Sequence, residues 1–216
     1  LDYLAAFAPR HKSGQGVGSA GRRSEQQKAA ARKLARDFVA TIGPRSLVAY
    51  TDGASIGNPG PAGAGMHIAG TGDESWQEEA IAALGNSTNN VGELWAIGMA
   101  VQAAVRRIRA HPHAYTHFYI LSDSQYSIGC LTRGWKSKTN AKLVRAVKGI
   151  LASVPSDITV IIQWVPAHVG IDANEHADFL AGQGAKISAT GRSNINFNEG
   201  IENNLFLPSL PPHKGA

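Results

Sequence analysis

The sequence predicts an α/β protein built on a mixed sheet, and three observations lead there. From Ser46 onward short apolar runs succeed one another before a long helical stretch, and runs then alternate with helical stretches toward the C-terminus. Asn90–Ala110 carries Leu94, Ile97, Val101, Val105 and Ile108 at the three-to-four spacing of one buried helical stripe. Ile158–Trp164 is dominated by the β-branched residues that suit a pleated, buried surface.

Taken in order, residues 1–23 mix Gly, Ser, Arg and Ala without periodicity and read as a linker. Gly16, Gly18 and Gly21 have the spacing of a dinucleotide-binding fingerprint, but no strand precedes them and no strand-borne acid follows about 20 residues on. Ser24–Ala40 reads as a helix with Ser24 as N-cap and Leu34 and Phe38 four apart, ended by Gly43-Pro44. Leu47–Tyr50 is a buried strand followed by Asp52-Gly53, and the turn Gly57-Asn58-Pro59-Gly60-Pro61 leads to a second strand, Gly65–Ala69. Ser75–Leu84 is a third strand that periodicity alone does not secure. His117–Leu121 is the fourth, and Ser122-Asp123-Ser124 opens a short helix. Asn140 is placed to cap a helix whose apolar side holds Leu143, Val144, Val147, Ile150 and Leu151. The fifth strand, Ile158–Trp164, precedes a last helix from Asn174 to about Lys186. The organisation expected is a basic arm over 1–45, one catalytic domain over 46–187, and a flexible tail over 188–216.

Composition narrows the function. With 216 residues, 43% hydrophobic and 17% charged, the chain has ordinary globular composition. The single cysteine, Cys130, excludes an internal disulfide framework and a thiolate zinc module. No apolar run approaches the roughly 20 residues that cross a bilayer, so a soluble chain without membrane contact is expected. Residues 1–45 hold nine Lys and Arg against three acids, while the rest holds 12 against 13. Within that balanced remainder, 124–156 has six Lys and Arg and no acid. Two basic regions on an otherwise neutral chain suit a polyanionic partner, although charge alone fits a solvated helix face as well.

Four acids stand near element ends: Asp52 after the first strand, Glu93 early in the long helix, Asp123 after the fourth strand and Asp178 in the last helix. Singly, each has a plainer reading. Asp52-Gly53 suits a turn, Asp123 an N-cap, Glu93 a capping arrangement with Asn90, and Asp178 a surface position. His168, Asp172, Glu175, His176 and Asp178 also suggest a zinc cluster, but the spacing of a helical zinc motif is absent. His176 reads as a structural or surface residue.

The surrounding phrases decide between these readings. Tyr50-Thr51-Asp52-Gly53-Ala54, Gly57-Asn58-Pro59-Gly60, Thr88-Asn89-Asn90-Val91-Gly92-Glu93-Leu94, Ser122-Asp123-Ser124-Gln125-Tyr126, Trp164-Val165-Pro166-Ala167-His168-Val169-Gly170 and Asn174-Glu175-His176-Ala177-Asp178 occur in one order. Together they resemble the type 1 ribonuclease H family over about residues 46–187. The resemblance implies an α/β, RNase H-like fold with a five-stranded mixed sheet, three antiparallel strands followed by parallel ones, flanked by helices. It implies endonucleolytic hydrolysis of the RNA strand of an RNA–DNA hybrid, giving 5′-phosphate and 3′-hydroxyl ends. By motif, Asp52, Glu93, Asp123 and Asp178 correspond to the metal-binding carboxylates and His168 to a mobile histidine beside the leaving product.

That assignment agrees with the chemistry of phosphodiester hydrolysis, which needs an activated water and a stabilised leaving oxygen. Two divalent ions about 4 Å apart supply both, and hard oxygen ligands select Mg²⁺, with Mn²⁺ able to substitute. The resemblance also places Asn58, Asn89, Asn90 and Gln125 in the minor groove, where amides suit recognition of the 2′-hydroxyl. Thr88 and Asn140 match a pocket for a DNA phosphate. Trp135 and Lys136, with Arg133 and Lys138, supply a reduced version of the family's basic, Trp-rich protrusion, which is shortened here. Asn86 stands near where some members carry a phosphate-binding arginine, so that pocket is expected to be weaker.

The short protrusion and the Trp164–Gly170 phrase resemble ribonuclease H domains of retroelement polyproteins, which implies an upstream reverse transcriptase domain as partner. The start at Leu1 is compatible with excision from a longer chain. A nucleic-acid substrate and one cysteine imply an intracellular setting, nucleus and cytoplasm undistinguished, and discount the glycosylation sequon at Asn86-Ser87-Thr88. Two other classes compete: a catalytically inactive hybrid-binding module, opposed by all four carboxylates, and a DNA-cutting nuclease of the same fold, opposed by the Asn and Gln set.

Overall fold

The computed structural model describes residues 24–168 and 170–208, with the backbone alone at 73–75. The linker expected over 1–23 lies outside them. The elements are α1 (Glu25–Ala40), β1 (Ser46–Ser55), β2 (Gly60–Gly70), β3 (Asp73–Ser87), α2 (Asn89–Ala110), β4 (His117–Ser122), α3 (Gln125–Thr132), α4 (Ala141–Leu151), β5 (Thr159–Trp164), α5 (Asp172–Ala189) and α6 (Phe197–Asn203). Five strands form one sheet in the order β3-β2-β1-β4-β5. β1 pairs antiparallel with β2, and β2 with β3; β1 runs parallel to β4, and β4 to β5. The predicted mixed sheet is therefore present.

Alternation along the central strands sorts the sheet into two faces. Leu47 and Ala49 of β1, with Phe118 and Ile120 of β4, join the main core with α2 and α4. Val48 and Tyr50, with Tyr119 and Leu121, turn to a smaller core shared with α1 and α5. The predicted α2 stripe is buried throughout, but so are most of the other residues of this helix, because α4 and the C-terminal segment cover the sides the sheet leaves open.

α1 begins as predicted, on a reciprocal cap: Ser24 Oγ accepts from Gln27 N at 3.2 Å and Gln27 Oε1 accepts from Ser24 N at 2.9 Å. Its inner face is Ala31, Ala35 and Phe38, whereas Leu34 points outward at 47% exposure. Phe38 meets Tyr119 edge-on at 6.1 Å, so residues 24–40 are seated on the sheet and are not part of a free arm.

Two expectations need correction. Asp52-Gly53 is not a turn: β1 runs on to Ser55 because its ladder with β2 continues through Asp52–Gly65, Gly53–Ala64, Ala54–Gly63 and Ser55–Ala62. The C-terminal segment is not a tail as far as Pro208. Phe206 is fully buried, Trp95 Nε1 donates to the Phe206 carbonyl at 2.9 Å, and the Trp95 ring stacks on Phe197 at 4.9 Å. Gln102 Oε1 accepts from both Phe206 N and Leu207 N. Asn194 and Ser193 also hydrogen-bond the backbone of β3, closing part of that edge strand.

Candidate active site

The site lies where β1, β4, α2 and α5 meet. Asp52 follows the last parallel pair between β1 and β4, Thr51–Ser122, and Asp123 is the first residue past β4. Glu93 comes from the first turns of α2, which Thr88 caps through its hydroxyl to Val91 N. The capping arrangement of Glu93 with Asn90 is therefore not formed. Ser124, and not Asp123, caps α3, accepting from Ser127 N at 3.2 Å. Asp123 is held instead through its backbone carbonyl, which accepts from Trp164 Nε1 at 3.1 Å.

Carboxylate oxygens of Asp52, Glu93 and Asp123 all lie within 4.8 Å of one another. Asp52 is 8% exposed and Glu93 4%, so water screens neither well. Burial, then the negative charges of Asp123 and Asp178, push the Asp52 carboxyl up to about 8, opposed only by the Gly53 amide that donates to Oδ1 at 2.8 Å. Burial and the charge of Asp52 raise Glu93 well above the usual carboxylate range. Glu93 Oε2 is buried with no hydrogen-bond partner among the described residues. A buried, unsatisfied carboxylate oxygen among other carboxylates is costly unless a cation completes it. The all-oxygen donor set fits a hard divalent ion.

Asp178 sits across the cleft on α5, its side chain 45% exposed, and His168 Nδ1 lies 3.9 Å from Asp178 Oδ2. The His168 side chain is 64% exposed, and its backbone takes a φ of 51°, a left-handed conformation uncommon outside glycine. The loop behind it is fixed where Gly170 N donates to Glu175 Oε1 at 2.7 Å.

A cleft of about 630 Å³ gathers all five of these residues with Asn89, Asn90 and Gln125. Asn58 stands at its rim, where Oδ1 accepts from Asn89 N at 3.4 Å. The other expected contacts lie away from the carboxylates. Asn140 occupies the N-cap position of α4 without a side-chain capping bond, because Nδ2 donates to Tyr126 Oη at 3.0 Å. Tyr126 Oη in turn donates to Ser137 Oγ at 2.7 Å, which accepts from Asn140 N. This network ties the basic loop to the cleft wall. Sequence reasoning missed it, since nothing in the spacing of Tyr126 and Ser137 marks them. Trp135 is 48% exposed with its ring laid on Gly129, and Lys136 is exposed beside it.

A family model for RNase H matches residues 44–186. Ribonuclease H of Jannaschia sp. is 35% identical over 161 residues, covering 68% of this chain and 95% of that protein. Ribonuclease H of Albidiferax ferrireducens is 30% identical over 148 residues, covering 66% and 96%. Among solved structures, the N-terminal RNase H domain of a Mycobacterium tuberculosis protein, fused to maltose-binding protein, superposes with a TM-score of 0.54 at 29% identity, covering 68% and 97%. Neither these names nor the geometry bears on a retroelement origin.

Proposed function

The chain belongs to the ribonuclease H family of enzymes, and from that membership we propose that it hydrolyses the RNA strand of RNA–DNA hybrids at the Asp52, Glu93, Asp123 and Asp178 cleft. Two Mg²⁺ ions are the proposed cofactor, and 5′-phosphate and 3′-hydroxyl ends the proposed products. The observation that carries this reading is the convergence of the Asp52, Glu93 and Asp123 carboxylates, with Glu93 Oε2 buried and without a hydrogen-bond partner among the described residues. Without a cation the crowded carboxyls hold protons instead, which is the direction in which Asp52 and Glu93 are shifted.

When bound, the divalent ions acidify the attacking water and stabilise the leaving oxygen. The four carboxylates would hold them, and the chain's other residues position the substrate. Asn89, Asn90 and Gln125 line the same cleft and offer both donors and acceptors to a 2′-hydroxyl. Asn58 steadies Asn89 from the rim. His168, exposed and close to Asp178, is proposed to move a proton at the leaving oxygen or to help the product depart. Thr88 and Asn140 are proposed phosphate contacts that double as structural groups, one capping α2 and the other bracing Tyr126. Trp135 and Lys136 present an indole face and a cation to the DNA backbone. The basic residues of 1–45 are proposed to add long-range attraction that weakens with salt.

The test presents one sequence as RNA–DNA hybrid, double-stranded RNA and double-stranded DNA, each with Mg²⁺, Mn²⁺ or a chelator. Cutting confined to the RNA of the hybrid and lost with chelator is the expected result. Hybrid binding without cutting would favour a binding module, and equal cutting of duplex DNA would favour a DNA nuclease.

A further inference from the structure

We propose that His67, Glu79 and His176 form a second cation site, separate from the carboxylate cleft, that takes a borderline transition-metal ion of the Zn²⁺ class. His67 of β2 and Glu79 of β3 are direct partners across the antiparallel ladder, and His176 of α5 reaches the same point from above the sheet. Glu79 Oε1 lies 3.2 Å from His67 Nδ1 and 2.8 Å from His176 Nε2. All three donor atoms fall within 4.8 Å of one another.

Tetrahedral zinc with bonds of about 2.0–2.1 Å requires donors about 3.3–3.4 Å apart. Glu79 Oε1 stands somewhat closer than that to both imidazole nitrogens, and those nitrogens are within 4.8 Å of each other, so coordination asks for side-chain shifts of about an ångström. The rings are held for it. His67 and His176 meet edge to face at 5.7 Å, and His176 stacks on Phe179 at 6.2 Å. The neighbouring carboxylate, Glu78, is engaged by Arg106, whereas the side-chain partners of Glu79 among the described residues are the two imidazoles. Those two hydrogen bonds keep the donors converged when no metal is bound.

The donor sets separate the two sites chemically. Two imidazoles and one carboxylate favour Zn²⁺, Co²⁺, Ni²⁺ or Cu²⁺, whereas the all-oxygen cleft favours Mg²⁺ or Mn²⁺. Three protein ligands leave one position for water, and the side chains of Glu79 and His176 are 41% and 39% exposed, so an ion has access. A bound ion would link β2 and β3 to α5, the helix that also carries Asp178. Sequence spacing hides the site, because its three ligands come from three elements.

The test titrates Co²⁺ into the metal-free full chain while recording visible absorption, then adds Zn²⁺. Tetrahedral Co²⁺ with imidazole ligands absorbs strongly, and octahedral Co²⁺ among oxygens only weakly. Wild type and Asp123→Asn should both develop the strong band with a single equivalent and lose it to Zn²⁺. His67→Gln and His176→Gln should weaken Co²⁺ affinity at least about tenfold, with circular dichroism confirming the fold. Glu79→Gln, which keeps an acceptor for both imidazoles, should weaken it as well and serves if a histidine variant does not fold. No strong band in wild type, a band unchanged in the histidine and Glu79 variants, or a band lost in Asp123→Asn would each overturn the proposal.

Discussion

Gly53 and Glu93 meet backbone to backbone: a Cβ on Gly53 would lie 2.2 Å from the Glu93 amide nitrogen. This contact brings the start of α2 down onto β1 and buries the Glu93 carboxylate beside Asp52. Gly53→Ala forces the two backbones apart. Overpacking of this kind costs about 1–3 kcal/mol, so the melting temperature should fall by several degrees. Cleavage should fall further than the loss of folded protein explains, since the carboxylates separate. Thermal melting and single-turnover cleavage on the same preparation check both.

Raised carboxyl pKa values make the metal-free fold sensitive to base. For Asp52, about 8 in the fold against an ordinary value near 3.8, the folded state binds more protons than the unfolded one between these limits. Stability contributed by the protonated form is thus present below about pH 4 and lost as pH rises toward 8. Glu93 shifts in the same direction. Each pH unit by which a pKa is raised corresponds to about 1.4 kcal/mol. Melting in chelator should therefore fall across this window, Mg²⁺ should restore it, and Asp52→Asn should flatten the slope while stabilising the metal-free protein at pH 8. Melting curves at several pH values, with and without Mg²⁺, measure all three.

His168→Ala should lower kcat by about a hundredfold, the lower range for a positioned proton-transfer group, while KM stays within a few-fold. Steady-state kinetics on the hybrid separate these two parameters.

Phe206→Ala removes a fully buried ring packed on Trp95 and against Gly98. The expected cost is about 3–5 kcal/mol. Cleavage by the protein that remains folded should be near normal, because Trp95 and Gly98 turn to the C-terminal segment while Glu93 lines the cleft, whose wall includes none of Trp95, Gly98 and Phe206. Denaturant unfolding and activity per folded molecule distinguish the two effects.

Which features were legible in the sequence follows from where their determinants lie. The α2 stripe, the Ser24 cap and the β-branched β5 are written in local spacing, and each appears in the structure. The four carboxylates were legible because whole phrases surround them, although Asp52-Gly53 alone reads as a turn. The true course of β1 depends on pairing with β2, which local composition does not encode. Phe197 and the short Leu205-Phe206-Leu207 run lie in a stretch without helix or strand periodicity, so their burial depends on a surface of α2 that only the fold creates. Asn140 has the right position for a cap but is drawn to Tyr126 by a contact 14 residues away. The same reason hides His67, Glu79 and His176, which meet only once β2, β3 and α5 are assembled.

The most direct test of the central claim compares Asp123→Asn with wild type in Mg²⁺, measuring hybrid cleavage and hybrid binding side by side. Loss of one proposed ligand should remove several kcal/mol of transition-state stabilisation, about a hundredfold to ten-thousandfold in rate. Binding should stay within a few-fold, since Asn89, Asn90, Gln125 and the basic loop are untouched. Cleavage by Asp123→Asn at the wild-type rate would contradict the assignment of this cleft as the catalytic centre.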